Sequence, residues 1–227
     1  MKIKTYLFFV FTCFLVLSFA NISEARQTVT LNPGDNIQQA VNNAGRKTKI
    51  ILNAGVYTVS ESIKITQKRE LSIKGNGKVS IVCTSTQETV FNIKDSFRIM
   101  IANIHMTHRP TATGCSEGVV NIYKSREIIL QNCDINGCGV YGVNISNCTR
   151  VAVLRSKLHN NEWIAINASN SKEIVILKNI ITNNGSVASF SKINDLKIYQ
   201  NRIYNNRNNK INYRAITKKS LRSNRFN

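Results

Sequence analysis

Apolar and polar positions alternate through most of the chain, and between residues 119 and 206 the alternation repeats as a fixed phrase. Ser125-Arg126-Glu127-Ile128-Ile129-Leu130 is followed by Cys148-Thr149-Arg150-Val151-Ala152-Val153. Ser171-Lys172-Glu173-Ile174-Val175-Ile176 and Ile193-Asn194-Asp195-Leu196-Lys197-Ile198 come next. The four copies begin at Ser125, Cys148, Ser171 and Ile193, in nearly equal steps. A further copy begins upstream at Ser96, one longer step away, as if a loop were inserted. Each copy carries a second apolar anchor, at Met106, Ile135, Leu158, Ile181 and Ile203. The last three copies close on paired amides, Asn160-Asn161, Asn183-Asn184 and Asn205-Asn206.

Period-two alternation is the pattern of strands, and a fixed repeat of about 22 residues is the pattern of a solenoid. Helical repeats need about 33 residues or more. Leucine-rich repeats have this length but a dense leucine frame, which is missing here. A parallel β-helix remains. Each repeat forms one coil, and equivalent residues stack about 4.8 Å apart on successive coils. Aligning the copies places Ile104, Cys133, Ser156, Asn179 and Asn201 in one inward column between strands. Amides stacked there can bond one another and the turn backbone.

The phrase Ile198-Tyr199-Gln200-Asn201-Arg202-Ile203-Tyr204-Asn205 resembles the coils of the right-handed parallel β-helix proteins of the pectin-lyase-like superfamily. The stretch from Asn36 through Gly55-Val56-Tyr57 to Gly75-Asn76-Gly77 is similar to the opening segment of those proteins. The resemblance covers residues 29–206 and implies an all-β, right-handed single-stranded solenoid of seven or eight coils. It says less about activity, because the superfamily holds lyases, hydrolases, esterases, epimerases and non-catalytic proteins.

Residues 1–25 have the layout of a secretion signal, with Lys2 and Lys4, an apolar run from Tyr6 to Leu17, and a small-x-small site at Ser23-Glu24-Ala25. The run is short for a membrane span. The expectation is therefore a secreted or periplasmic protein without a membrane span after cleavage. Residues 26–206 then form the β-helix and residues 207–227 a basic tail that has lost the period. Asp35 is expected to cap a short helix whose apolar face is Ile37, Ala40, Val41 and Ala44, and which covers the open amino-terminal end.

Charge narrows the range of partners. The formal net charge is +19 at pH 7. After Asp195 there are nine Lys or Arg residues and no acids. Such a field favours acidic polysaccharide or another polyanion. Nucleic acid is not expected, because aromatics do not interleave with the basic run. Beyond Cys13 the chain has five cysteines, so at least one thiol stays free. Cys115 and Cys138 are one coil apart, the spacing of a bridge between neighbouring coils. Cys133 aligns with the inward column, and no pair has the spacing of a zinc site.

Candidate chemistry lies outside the coils. The column next to the inward one reads His105, Asp134, Lys157, Ile180 and Arg202, and the corner before it reads Asn103, Asn132, Arg155, Lys178 and Gln200. Elimination on a polyuronate needs the substrate carboxylate neutralised and a base for the adjacent proton. Asp134, Lys157, Arg155 and His105 are the candidate catalytic residues. Lys178, Arg202, Tyr141 and Trp163 are candidates for substrate binding. A divalent cation such as calcium is a conceivable cofactor, although no metal-ligand set is identified. Hydrolysis needs two carboxyl groups across the bond, and Asp134 is alone in its column. Two readings follow: a protein that binds or acts on acidic polysaccharide, lyase-like if catalytic, or a non-catalytic structural, adhesin or accessory module that holds polyanions on a basic face.

Overall fold

The computed structural model describes residues 26–109, 115, 117–137 and 139–226; the expected leader and Cys138 lie outside them. The chain winds into a parallel β-solenoid of about 8 turns. Three sheets run along its length. Sheet A stacks 27–31, 48–53, 71–76, 99–102, 128–131, 151–154, 174–177, 196–199 and 219–222. Sheet B stacks 55–59, 79–83, 105–108, 134–135, 157–159, 180–182, 202–204 and 225–226. Sheet C stacks 63–66, 91–94, 120–123, 141–146, 164–169, 186–191 and the strand Asn208–Ile216. From residue 48 onward the coils visit A, B and C in that order, whereas the first strand, Gln27–Leu31, leads into a helix. The inward residues fill one continuous core, in which Ile50, Ile73, Ile101, Leu130, Val153 and Ile176 form one of the stacks.

Corners turn the chain between sheets. Most use a non-glycine residue in the left-handed region, for example Asn103, Asn132, Arg155, Lys178 and Gln200 between sheets A and B, whereas the first two A–B corners use Gly55 and Gly77. The left-handed region costs a side-chain-bearing residue about 1 kcal/mol. The inward residue that follows offsets this. Asn201 Oδ1 accepts the backbone N–H of Asn179 at 2.8 Å and the Asn179 amide at 3.1 Å, while its own Nδ2 donates to the Ile176 carbonyl at 3.0 Å. Asn161, Asn184 and Asn206 repeat the arrangement at the B–C corner. Ser125 Oγ and Ser171 Oγ accept N–H groups of the preceding coil at the corner between C and A.

Helix α1 (Ile37–Asn43) packs against the first strand of sheet C and buries Ile37 and Val41. Its cap is Asn36 rather than Asp35: the Asn36 side chain accepts from the Gln39 N–H at 2.9 Å. The Asp35 carboxylate instead accepts the Asn32 N–H at 2.7 Å and closes the preceding turn. At the other end the structure corrects the expected tail. Residues 208–216, 219–222 and 225–226 continue sheets C, A and B as one more coil. Alternation survives there in Ile211 and Tyr213, and Asn224 extends the amide column. Lys219, at the position that buried Leu196 holds one coil earlier, interrupts the period.

Cys133 and Cys148 are buried free thiols in the inward columns, and Cys83 is a third. Burial pushes the Cys133 thiol up to about 12 and the Cys148 thiol to about 11. Cys115 is disulfide-bonded.

Candidate functional site

The outward face of sheet B gathers the chemistry. Register places Ser80, His105, Asp134, Lys157, Ile180, Arg202 and Arg225 side by side on successive coils. The alternation that turns Met106, Ile135, Leu158 and Ile203 into the core turns these residues out. His105, Asp134 and Lys157 are thus direct neighbours. Arg155 and Lys178 stand exposed at the A–B corner, two residues before Lys157 and Ile180. Arg202 lies two coils beyond Lys157, with Ile180 between them.

His159 joins the group although alignment with the inward ladder does not single it out. It lies two residues after Lys157, so alternation places it on the same face. Its Nε2 is 2.6 Å from Asp134 Oδ1 on the previous coil. Burial opposes the negative charge on Asp134, but the His159 hydrogen bond and the nearby charges of His159, His105 and Lys157 outweigh it. The carboxyl is held below its ordinary value. His105 is fully engaged, with Nδ1 3.0 Å from Ser80 Oγ and Nε2 3.1 Å from Asn136 Oδ1. An Nε2–H donated to the carbonyl-type oxygen of Asn136 leaves Nδ1 to accept from the serine hydroxyl. By the same logic an Nε2–H donated to Asp134 leaves His159 Nδ1 as a base, without a hydrogen-bond partner among the described residues.

Other features bear on the chemistry. Glu70 and Glu127 lie on the other side of sheet A, locked between Arg46, Arg98 and Arg150 by contacts between 2.7 and 3.6 Å. They give Asp134 no partner carboxylate. Among the described residues no group of three His, Cys, Asp or Glu side chains could hold a metal ion. The residues of this face therefore do not fit calcium, since Asp134 is committed to His159. His108 points inward, with Nε2 2.8 Å from the Glu88 carbonyl, and burial lowers its pKa. Trp163 is 61% exposed in the B–C turn, and Tyr141 begins the sheet C strand one coil earlier. Both flank the far edge of sheet B, away from Asp134. A groove of about 410 Å³ at the B–C corner is lined by Asn160, Glu162, Asn183, Gly185, Asn205 and Arg207.

Comparison with known proteins agrees with this geometry. A search of curated protein sequences finds no match. The profile described as "Right handed beta helix region" matches residues 41–192. Among solved structures, the pectate lyase Pel9A superposes with a TM-score of 0.65 at 11% identity, covering 82% of this chain and 56% of the lyase. This chain therefore spans just over half of that enzyme's length. The cedar pollen allergen jun a 1 gives a TM-score of 0.58 at 7% identity, covering 88% and 77%. The alginate lyase of Paenibacillus sp. str. FPU-7 gives 0.50 at 12%, covering 89% and 100%. Among the described residues no helix is long and apolar enough to cross a membrane. The three parallel sheets, the stacked corners and the profile match lead to one conclusion: the chain belongs to the right-handed parallel β-helix family and has the pectin-lyase-like fold.

Proposed function

We propose that the protein binds an acidic polysaccharide along the outward face of sheet B, outside the cytoplasm, and cleaves it by β-elimination. The His159–Asp134 pair, set among exposed cations, carries this reading. Lys157, Arg155 and Lys178 would pair with uronate carboxylates on successive sugars and acidify the carbon beside one of them. His159 Nδ1 would take the proton from that carbon, with Asp134 stabilising the imidazolium that forms. A carbon–carbon double bond forms as the bond to the leaving glycosidic oxygen breaks. That oxygen recovers a proton from Lys157 or solvent. His105, saturated by Ser80 and Asn136, would position the face rather than move a proton. The resemblance of fold to a pectate lyase and an alginate lyase supports the substrate class.

The openness of the face, where the Asp134 side chain is 41% exposed, favours a second reading in which the same cations hold polyanions without turnover. One assay separates the two. The protein is incubated with polygalacturonate, alginate and a neutral glucan, following retention and the ultraviolet absorbance of new double bonds. Absorbance that rises on a uronate polymer, and is lost in His159→Gln and Asp134→Asn with binding kept, supports elimination. Salt-sensitive retention without product supports the binding reading. Silence on every polymer overturns both.

A further inference from the structure

The corner between sheets B and C carries amides that the fold does not use. Asn160, Asn183 and Asn205 hold the left-handed position on three successive coils and are exposed. Their side chains make no hydrogen bond among the described residues. The inward amides beside them differ: Asn184 and Asn206 are bonded through both oxygen and nitrogen. The free amides line the groove of about 410 Å³ at this corner, a volume within the range of roughly 300–1,000 Å³ found for small-ligand sites. Gly185 lines it too, between Glu162 on the coil before and Arg207 on the coil after. A Cβ at Gly185 would sit 2.3 Å from the Glu162 carbonyl oxygen and 2.5 Å from that of Trp163. Glycine thus lets the coils approach and keeps a notch open between the two charged side chains. Neither Glu162 nor Arg207 forms an ion pair among the described residues. Trp163, whose backbone abuts Gly185, stands at the rim with its side chain 61% exposed.

We propose that this groove binds a neutral oligosaccharide, at a site separate from the outward face of sheet B. Charge selects the ligand. One carboxylate and one guanidinium line the groove, two coil steps or about 10 Å apart, and their charges cancel. A polyanion attracted by Arg207 is repelled by Glu162, unlike on sheet B, where cations stand together. Each free amide both donates and accepts, as a sugar hydroxyl does. The row repeats about every 4.8 Å, so a saccharide laid along the solenoid axis meets an amide on each coil. Glu162 accepts from hydroxyls, and Arg207 donates to hydroxyl or ring oxygens. The exposed indole of Trp163 offers an apolar face against which the C–H side of a sugar ring packs. A peptide fits less well, because no apolar side chain lines the groove to receive its side chains.

Trp163 is the chain's single tryptophan, so its emission reads this corner directly. The full chain is titrated with cellotetraose, mannotetraose and chitotetraose, and with trigalacturonate for comparison, while calorimetry follows the same additions. The expected result is a saturable change in emission with at least one neutral tetrasaccharide, unchanged by added salt, and none with trigalacturonate. Asn183→Gly removes an amide yet suits the left-handed backbone, and Glu162→Ala removes an acceptor. Both positions are exposed, so the variants test the contact without disturbing the core. Each should weaken binding by about five- to tenfold. Emission unmoved by every neutral tetrasaccharide would overturn the proposal. A salt-sensitive change shared with trigalacturonate would reduce the effect to polyanion attraction and do the same. Heat of binding without a change in Trp163 emission would put the sugar elsewhere, and variants that bind like the unaltered chain would remove the groove from the contact; either result also overturns it.

Discussion

Asn201 is the position where the corner architecture can be tested most directly. Its side chain is 0% exposed. Oδ1 accepts from the Asn179 N–H and from Asn179 Nδ2, and Nδ2 donates to the Ile176 carbonyl and to Asn224 Oδ1 at 2.9 Å. Asn201→Ala leaves the buried Asn179 N–H without its partner, at a cost of about 1–3 kcal/mol. Losing the other three side-chain bonds adds roughly 1 kcal/mol each, for a sum of about 4–6 kcal/mol. With a urea slope of about 3 kcal/mol/M, the midpoint should fall by about 1 M or more. Ser189→Ala is the control: an outward, half-buried position on sheet C, expected to change stability by less than about 0.5 kcal/mol. The assay is urea unfolding followed by far-ultraviolet circular dichroism and by tryptophan emission from Trp163. An Asn201→Ala midpoint within error of Ser189→Ala would refute the view that inward amides sustain the left-handed corners. Asn201→Asp should be worse than alanine, because it sets a charged acceptor against the Ile176 carbonyl and Asn224 Oδ1.

Glycine substitutions should split by place. Gly75→Ala puts a Cβ 2.1 Å from the Asn103 carbonyl oxygen and should cost about 1–3 kcal/mol in thermal or urea unfolding, while Gly45→Ala, with open space around it, should be neutral or slightly stabilising. The thiols of Cys133 and Cys148, raised to about 12 and about 11, should resist a thiol reagent at pH 8 in the folded protein and react fully in denaturant. Acid should destabilise in two steps. His108 has its folded pKa depressed below 6.5, so the unfolded chain takes up a proton first and stability falls as pH drops from there towards the folded value. Asp134, depressed below 3.8, contributes stability above that value and loses it as pH falls through its folded pKa. In a pH series of unfolding midpoints, Asp134→Asn should reduce the slope of the lower limb, to which Glu70 and Glu88 also contribute because their carboxyls are held below the ordinary value, and leave the upper one.

Much of this architecture can be read from the repeat because stacking turns sequence spacing into distance. His105, Asp134 and Lys157 lie a full coil apart from one another along the chain, and the winding makes them neighbours. The outward column and the inward one therefore align in the sequence as they do in space. His159 is harder to see, since its contact with Asp134 is diagonal and column alignment pairs only equivalent positions. Its signal is alternation, two residues beyond Lys157. Asn36 and Asp35 are indistinguishable as caps by residue type, and only the turn that claims the Asp35 carboxylate separates them. The last coil is hidden for a different reason: an apolar anchor is replaced there, with Lys219 standing where Leu196 stands one coil earlier.

The same stacking explains why charge is distributed as it is. The corner before sheet A reads Lys47, Glu70, Arg98, Glu127, Arg150, Glu173 and Asp195. Glu70 and Glu127 are bracketed by arginines of adjacent coils, and Glu173 and Asp195 are each met by a lysine of their own coil. Like charges placed about 4.8 Å apart would repel, so a stack of ionised corners is tolerated only when signs alternate or when solvent and a ligand supply the opposite charge. At the A–B corner Arg155 and Lys178 are adjacent with no acid in their column, and Lys157 lies beside them on sheet B. That corner lacks the compensation its counterpart has, and sheet B is the face it borders. A polymer carrying a carboxylate on successive sugars would complete along sheet B the alternation that Glu70 and Glu127 complete within the protein. This is the physical reason to place a polyanion there rather than along the neutral Asn121–Asn144–Asn167 ladder of sheet C, whose amides already bond one another at 3.0 and 2.8 Å.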